Sequence, residues 1–282
     1  MIATLLALLV MQVGPNPSLD AFPGTPDELL NRPERPARQS GPVTSTSATP
    51  SGTKLAECVN MARDDAESAS DYAQSWRETA ADQLELAQSA HCLGLALVRL
   101  EEFDEARRAF DLATDEVPPG APAYQARLSA MAGNASMAQS KPAIAEIAFS
   151  RAIGFATEAG DGLLLASVSI DRARALVALG RNEEAGRALE AARANDPANP
   201  RAWLLSATLS RRMERLGEAR EQIAQAAVLT PQDPAVGLEA GVIAALSGRD
   251  EEARRSFESV LLVAPDSAEA NTARAYLEQL SS

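Results

Sequence analysis

Small and apolar side chains recur along this chain on a fixed ruler. Ala185, Ala219 and Ala253 are 34 residues apart, and so are Pro197, Pro231 and Pro265. Upstream the same pattern returns once insertions are allowed. Each copy has a small residue in a first helix, an Ala twelve positions on, a bulky apolar residue four later and a small or apolar residue three after that. The copies read Gly94, Ala106, Phe110, Ala113; Gly133, Ala145, Phe149, Ala152; Ala173, Ala185, Leu189, Ala192; Ala207, Ala219, Ile223, Ala226; and Gly241, Ala253, Phe257, Val260. Offsets of four and three keep these residues on one helical face. A small residue lets two helices approach closely, and the large one should fill the gap toward the next hairpin. Five residues later Pro118, Pro197, Pro231 and Pro265 stop the second helix, with Thr157 in that place in the second copy. Gly180 and Gly248 follow first helices, where a left-handed residue turns the chain. No alternating Val/Ile/Thr-rich run suggests a sheet, so the prediction is an all-α array of stacked antiparallel helix pairs.

These residues together resemble the tetratricopeptide repeat family over roughly residues 87–267, in copies near 87–120, 126–159, 166–199, 200–233 and 234–267. Only Trp203 matches the large aromatic expected early in the first helix; Ala90, Ser129, Ser169 and Gly237 stand there in the other copies. The resemblance implies a right-handed superhelical solenoid whose first helices line a concave groove that receives an extended peptide. It therefore implies a non-enzymatic interaction scaffold. The groove residues it points to are Arg127, Asn134, Arg174, Arg201 and Arg211, with His91, Leu95, Arg99, Thr208 and Arg212 alongside. Arg offers a planar fork for carboxylates, so the expected partner is an acidic protein or peptide segment. Leu238, Val242, Ala245 and Leu246 make the far end apolar, either as a pocket or as the seat of a C-terminal helix.

Both ends of the chain depart from the repeat. Residues 1–13 are almost wholly apolar before Gly14-Pro15. At about 1.5 Å per residue a helix there spans ~20 Å, short of a ~30 Å hydrocarbon core. A secretory signal is the better reading, although no Lys or Arg precedes the run; a frayed N-terminus is the alternative. Export would place the protein in a periplasm or outside the cell, and its absence would leave it cytoplasmic. Residues 14–53 hold eight of the 17 prolines and a Ser/Thr cluster, a composition expected of a disordered linker. Residues 54–86 read as an atypical helical hairpin bending at Asp64-Asp65, and residues 268–282 as a capping helix.

Charge narrows the partner class. The net charge of −13 excludes a nucleic-acid binder, which needs a basic face. Residues 54–120 carry 6 basic and 15 acidic side chains, so the acidity is concentrated toward one end. No phosphate loop, metal motif or nucleophile-base set occurs, and neither catalysis nor a cofactor is expected. Cys58 and Cys92, the two cysteines, are one period apart. Stacked first helices put them at similar heights, where a disulfide could close in an oxidising compartment. The alternative is two buried thiols, since helix axes ~8–10 Å apart can hold the Cα atoms too far for a bond. An assembly part of a cell envelope using repeat edges, or an accessory subunit of an enzyme, are the other functional readings.

Overall fold

A computed structural model describes residues 51–280. Among these residues lie thirteen helices, α1 (Ser51–Asp64), α2 (Ala66–Glu78), α3 (Gln83–Arg99), α4 (Phe103–Glu116), α5 (Pro122–Ala138), α6 (Pro142–Ala159), α7 (Gly162–Ala178), α8 (Asn182–Asn195), α9 (Pro200–Arg212), α10 (Leu216–Leu229), α11 (Pro234–Leu246), α12 (Asp250–Val263) and α13 (Ala268–Leu280). Each packs on its neighbours in sequence, so the chain forms stacked hairpins with a single helix at the end. The apolar segment 1–13 and most of the linker 14–53 lie outside the described residues. One boundary differs. α1 begins at Ser51, inside the segment expected as linker. Composition reads Ser-Gly-Thr as loop, but nothing in these residues forbids a helix once its next turns pack, as Leu55 and Cys58 do here.

The repeat works through a pairing of sizes. A β-carbon on Gly94 would lie 2.5 Å from the ring of Phe110; on Gly133, 2.5 Å from Phe149; on Gly241, 2.3 Å from Phe257. Each ring therefore rests on the glycine of its own hairpin, rather than only bridging toward the next as the spacing suggested. Where the second helix offers the smaller Leu189 or Ile223, the first carries Ala173 or Ala207. Phe110, Phe149 and Phe257 are no more than 1% exposed, and the repeat alanines are buried with them.

Turn chemistry explains the hairpins. Gly180 and Gly248 have φ of 74° and 71°. At the same register Glu101, Ser140 and Glu214 take φ of 61°, 56° and 61°, a region that costs an L-residue roughly 1–2 kcal/mol. Glu214→Gly is accordingly expected to stabilise the array by about 1 kcal/mol after the entropy that Gly loses; a urea midpoint that falls instead would contradict this. The proline stops behave likewise. α4, α8, α10 and α12 each end two residues before their Pro, whereas α6, with Thr157 there, runs on to Ala159 and closes on left-handed Gly160.

The N-terminal hairpin is held by more than packing. Cys58 of α1 and Cys92 of α3 form a disulfide with Cα atoms 5.9 Å apart, both sulfurs fully buried. Lys54 pairs with Glu85 at 3.0 Å, and Arg77 of α2 grips both carboxylate oxygens of Glu116 on α4. At the other end Ala273, Tyr276, Leu277 and Leu280 of α13 cluster with Leu238, Val242 and Ala245, so the apolar end of the first-helix face is a seat for α13. Leu246 stays 42% exposed beside it.

Candidate peptide-binding groove

The first helices α3, α5, α7, α9 and α11 repeat one register, so residues at equal offsets rise side by side. Asn134 of α5, Arg174 of α7 and Arg201 of α9 meet around one carboxylate, Asp171. The Arg174 guanidinium lies 3.5 Å from Asp171 Oδ1, the Asn134 amide hydrogen-bonds to it, and Arg201 acts on it electrostatically. Asp171 is only 6% exposed. Burial raises its pKa, while Arg201, Arg174 and Asn134 oppose the shift. Arg201 itself is exposed and forms no ion pair within 4 Å among the described residues.

The other two arginines stand apart, each with its own acid. Arg127 lies 3.6 Å from Asp161. Arg211 holds Glu239 of α11 through Nε at 2.6 Å and Nη2 at 3.2 Å, in a pair largely out of solvent. Arg211 is also ten residues beyond Arg201 on α9, about 15 Å along the axis. The five residues thus line one helix layer without forming one cluster. Asp171 and Glu239 were missed by the sequence reading, though a signal existed. They share a register position at which the other copies carry Cys92, Met131 and Leu205, so an acid there is out of pattern.

At the acidic end, His91 of α3 sits in the same layer. Its Nδ1 is 3.0 Å from the hydroxyl of Tyr124 on α5, its ring lies 6.2 Å from that of Phe110, and Nε2 is buried without a partner. Desolvation lowers its pKa from 6.5 to about 4. The folded protein therefore binds fewer protons than the unfolded chain between those values. The associated stability is complete above pH 6.5 and is lost as pH falls through the window, by at most about 2 kcal/mol at pH 5. In His91→Gln the drop in unfolding free energy from pH 7 to 5 should shrink by that amount; an unchanged drop would assign the acid lability elsewhere.

With this geometry in place, the comparisons with known proteins are consistent. A tetratricopeptide repeat family model matches residues 170–235. Similar solved structures include PilW, a type IV pilus biogenesis factor (TM-score 0.63, 16% identity, covering 80% of this chain and 99% of that one). PilF of Pseudomonas aeruginosa gives a TM-score of 0.61 at 14% identity over 81% of this chain and 100% of that one. YrrB, a tetratricopeptide protein with an unusual peptide-binding site, gives 0.52 at 21% identity over 67% and 92%. No curated protein sequence matches the chain. Residues 170–235 match tetratricopeptide repeats, and the described residues form an all-helical solenoid of that fold.

Proposed function

We propose that this protein is a non-catalytic scaffold that holds a partner peptide or protein against the layer formed by its first helices. The observation that carries this reading is the convergence of Asn134, Arg174 and Arg201, from three successive hairpins, on the buried carboxylate of Asp171. Asp171 draws the charge of both guanidinium groups to one place, and Arg201 is exposed there. A carboxylate of an acidic partner segment meets a net positive cluster there, with exposed pairs contributing roughly 0.2–1 kcal/mol each. The fold supports a binding role, and two proteins of similar fold are a pilus biogenesis factor, PilW, and a protein with a peptide-binding site, YrrB.

An envelope location follows the same reading. The apolar residues 1–13 suit an export signal, and the buried Cys58–Cys92 bridge suits an oxidising compartment. No described helix is long and apolar enough to cross a membrane. Mass spectrometry of protein recovered from its native host, alkylated without reduction, should find both cysteines unmodified and the N-terminus cleaved.

A pull-down from the host identifies the partner, and Arg174→Ala with Arg201→Ala then tests the groove. Affinity should fall by about three- to tenfold, and its salt dependence should weaken. Unchanged affinity and salt slope would place the binding surface elsewhere.

A further inference from the structure

One junction between hairpins carries two large polar side chains where the other copies carry small or apolar residues. At the position after the last helix-packing residue of the second helix, the copies carry Thr114, Ile153, Ala227 and Leu261, all buried or partly buried. The third copy carries Arg193. One position before the large apolar residue, the copies carry Ala109, Ala148, Ala188 and Ser256; the fourth carries Gln222, only 9% exposed. These two departures face each other across the junction of α8 with α9 and α10. They line a cleft of about 320 Å³, continuous through Arg193 and Gln222 with a second hollow that includes Trp203.

Glu183, Glu190 and Glu218 line this cleft together with Arg187, Arg193 and Arg215, and among these groups Arg193 and Gln222 present donors that are not used. Gln222 Oε1 accepts from Ser210 Oγ at 2.8 Å, which uses the amide oxygen and leaves its N–H pair without an acceptor among the described residues. The Arg193 guanidinium stacks over the Trp203 ring, 4.8 Å from its centroid. That ring is itself fixed by Trp203 Nε1 donating to Pro197 O at 2.9 Å. Among the described residues, Arg193 Nε is buried and has no hydrogen-bond partner, and no carboxylate lies within 4 Å of the side chain. Burial makes the group less basic than usual, with Glu190 and Glu218 opposing that effect from the rim.

A buried guanidinium N–H left without an acceptor is costly, and costlier where an Ala or Leu would serve the packing. Such a departure from a local rule marks a site held for binding. We infer that the cleft between α8 and the α9–α10 hairpin binds a single carboxylate of a peptide, side-chain or terminal, with Arg193 and Gln222 as donors and Trp203 as the platform for its apolar stem. A carboxylate supplies what these two donors lack: a pair of acceptors in a planar match to the guanidinium fork. Its volume lies at the small end of ligand pockets, suited to one or two residues. Glu190 and Glu218 face the same guanidinium and select against polyanions such as phosphate. This site lies apart from the Asp171 cluster and does not depend on it.

The test uses the full chain and N-acetyl-leucine, with N-acetyl-leucinamide and inorganic phosphate as controls. The readout is the Trp203 indole N–H in proton–nitrogen correlation spectra. It is one of two indole signals in the chain, assigned with Trp76→Phe. The carboxylate should shift this signal saturably, the amide should bind about tenfold more weakly, and phosphate should leave it unmoved. Arg193→Leu, which restores the residue of the fifth copy, should abolish the response while leaving the melting temperature equal or higher. Gln222→Ala, the residue of three other copies, should weaken it. An equal response to the amide, a response surviving in Arg193→Leu, or no saturable shift with the carboxylate would each overturn the inference. Loss of melting temperature in Arg193→Leu would also overturn it, because Arg193 would then be a packing residue.

Discussion

Removing the Cys58–Cys92 bridge should cost the folded protein about 4 kcal/mol. The bridge spans 34 positions, and closing a loop of that size removes on the order of 12–13 cal/mol/K from the unfolded chain, equal to about 4 kcal/mol at 25 °C. Little else ties the first hairpin to the array with comparable strength. Its core is Ala62, Ala69, Ala73 and Trp76 against Ala96. Its ion pairs, Lys54–Glu85 and Arg77–Glu116, are partly solvated and so contribute little each. Repeat arrays can open locally from an end. The loss should therefore appear as faster amide exchange confined to α1–α3, with α7–α12 unaffected. Cys58→Ala with Cys92→Ala, compared with the oxidised and reduced wild type, separates loss of the cross-link from loss of packing. Identical exchange in oxidised and reduced protein would show that the bridge does not carry the cap.

Gly241→Ala and Phe257→Leu should each destabilise the fifth hairpin, and together they should largely cancel. The single methyl added at Gly241 would lie 2.3 Å from the Phe257 ring, so ring or backbone must move, at roughly 1–3 kcal/mol. Phe257 is fully buried. Replacing it by Leu leaves a void against Gly241 and the stacked ring of Tyr276, 5.2 Å away, for about 1–2 kcal/mol. The double variant recreates the Ala173–Leu189 pairing of the third hairpin. Its measured loss should fall short of the sum of the singles by about 1–3 kcal/mol, a coupling energy typical of residues in contact. Additive losses in denaturant unfolding would mean that the two positions do not share one space.

The repeat was readable because its signals are local and periodic. Gly94, Gly133 and Gly241 appear where a Phe follows sixteen residues later, and Ala173 and Ala207 where a Leu or Ile does. That size rule needs only helical spacing to be seen. Proline stops and the glycines at 180 and 248 are equally local, because they act on their own backbone. Such signals gave the hairpin count, the helix order, and the helix faces on which Asn134, Arg174 and Arg201 sit.

The pairing of charges across that face was decided by the tertiary structure. Sequence placed Arg127, Arg174, Arg201 and Arg211 in one layer, but it did not show that Glu239 neutralises Arg211 while Arg201 stays open. Nor did it show that Asp171 gathers its neighbours. Long side chains reach several ångströms, and apart from Arg174, which meets Asp171 on its own helix, their partners lie 28 to 37 positions away. Which acid wins depends on the displacement between stacked hairpins and on competing burial, neither of which is written within one repeat. Arg193 shows the same division. The period reveals that an arginine stands where Ile153 and Leu261 stand in other copies. Only the packed junction reveals that it lies over Trp203 with Nε buried and unpartnered. Periodicity fixes where a side chain starts, and packing fixes what its charge meets.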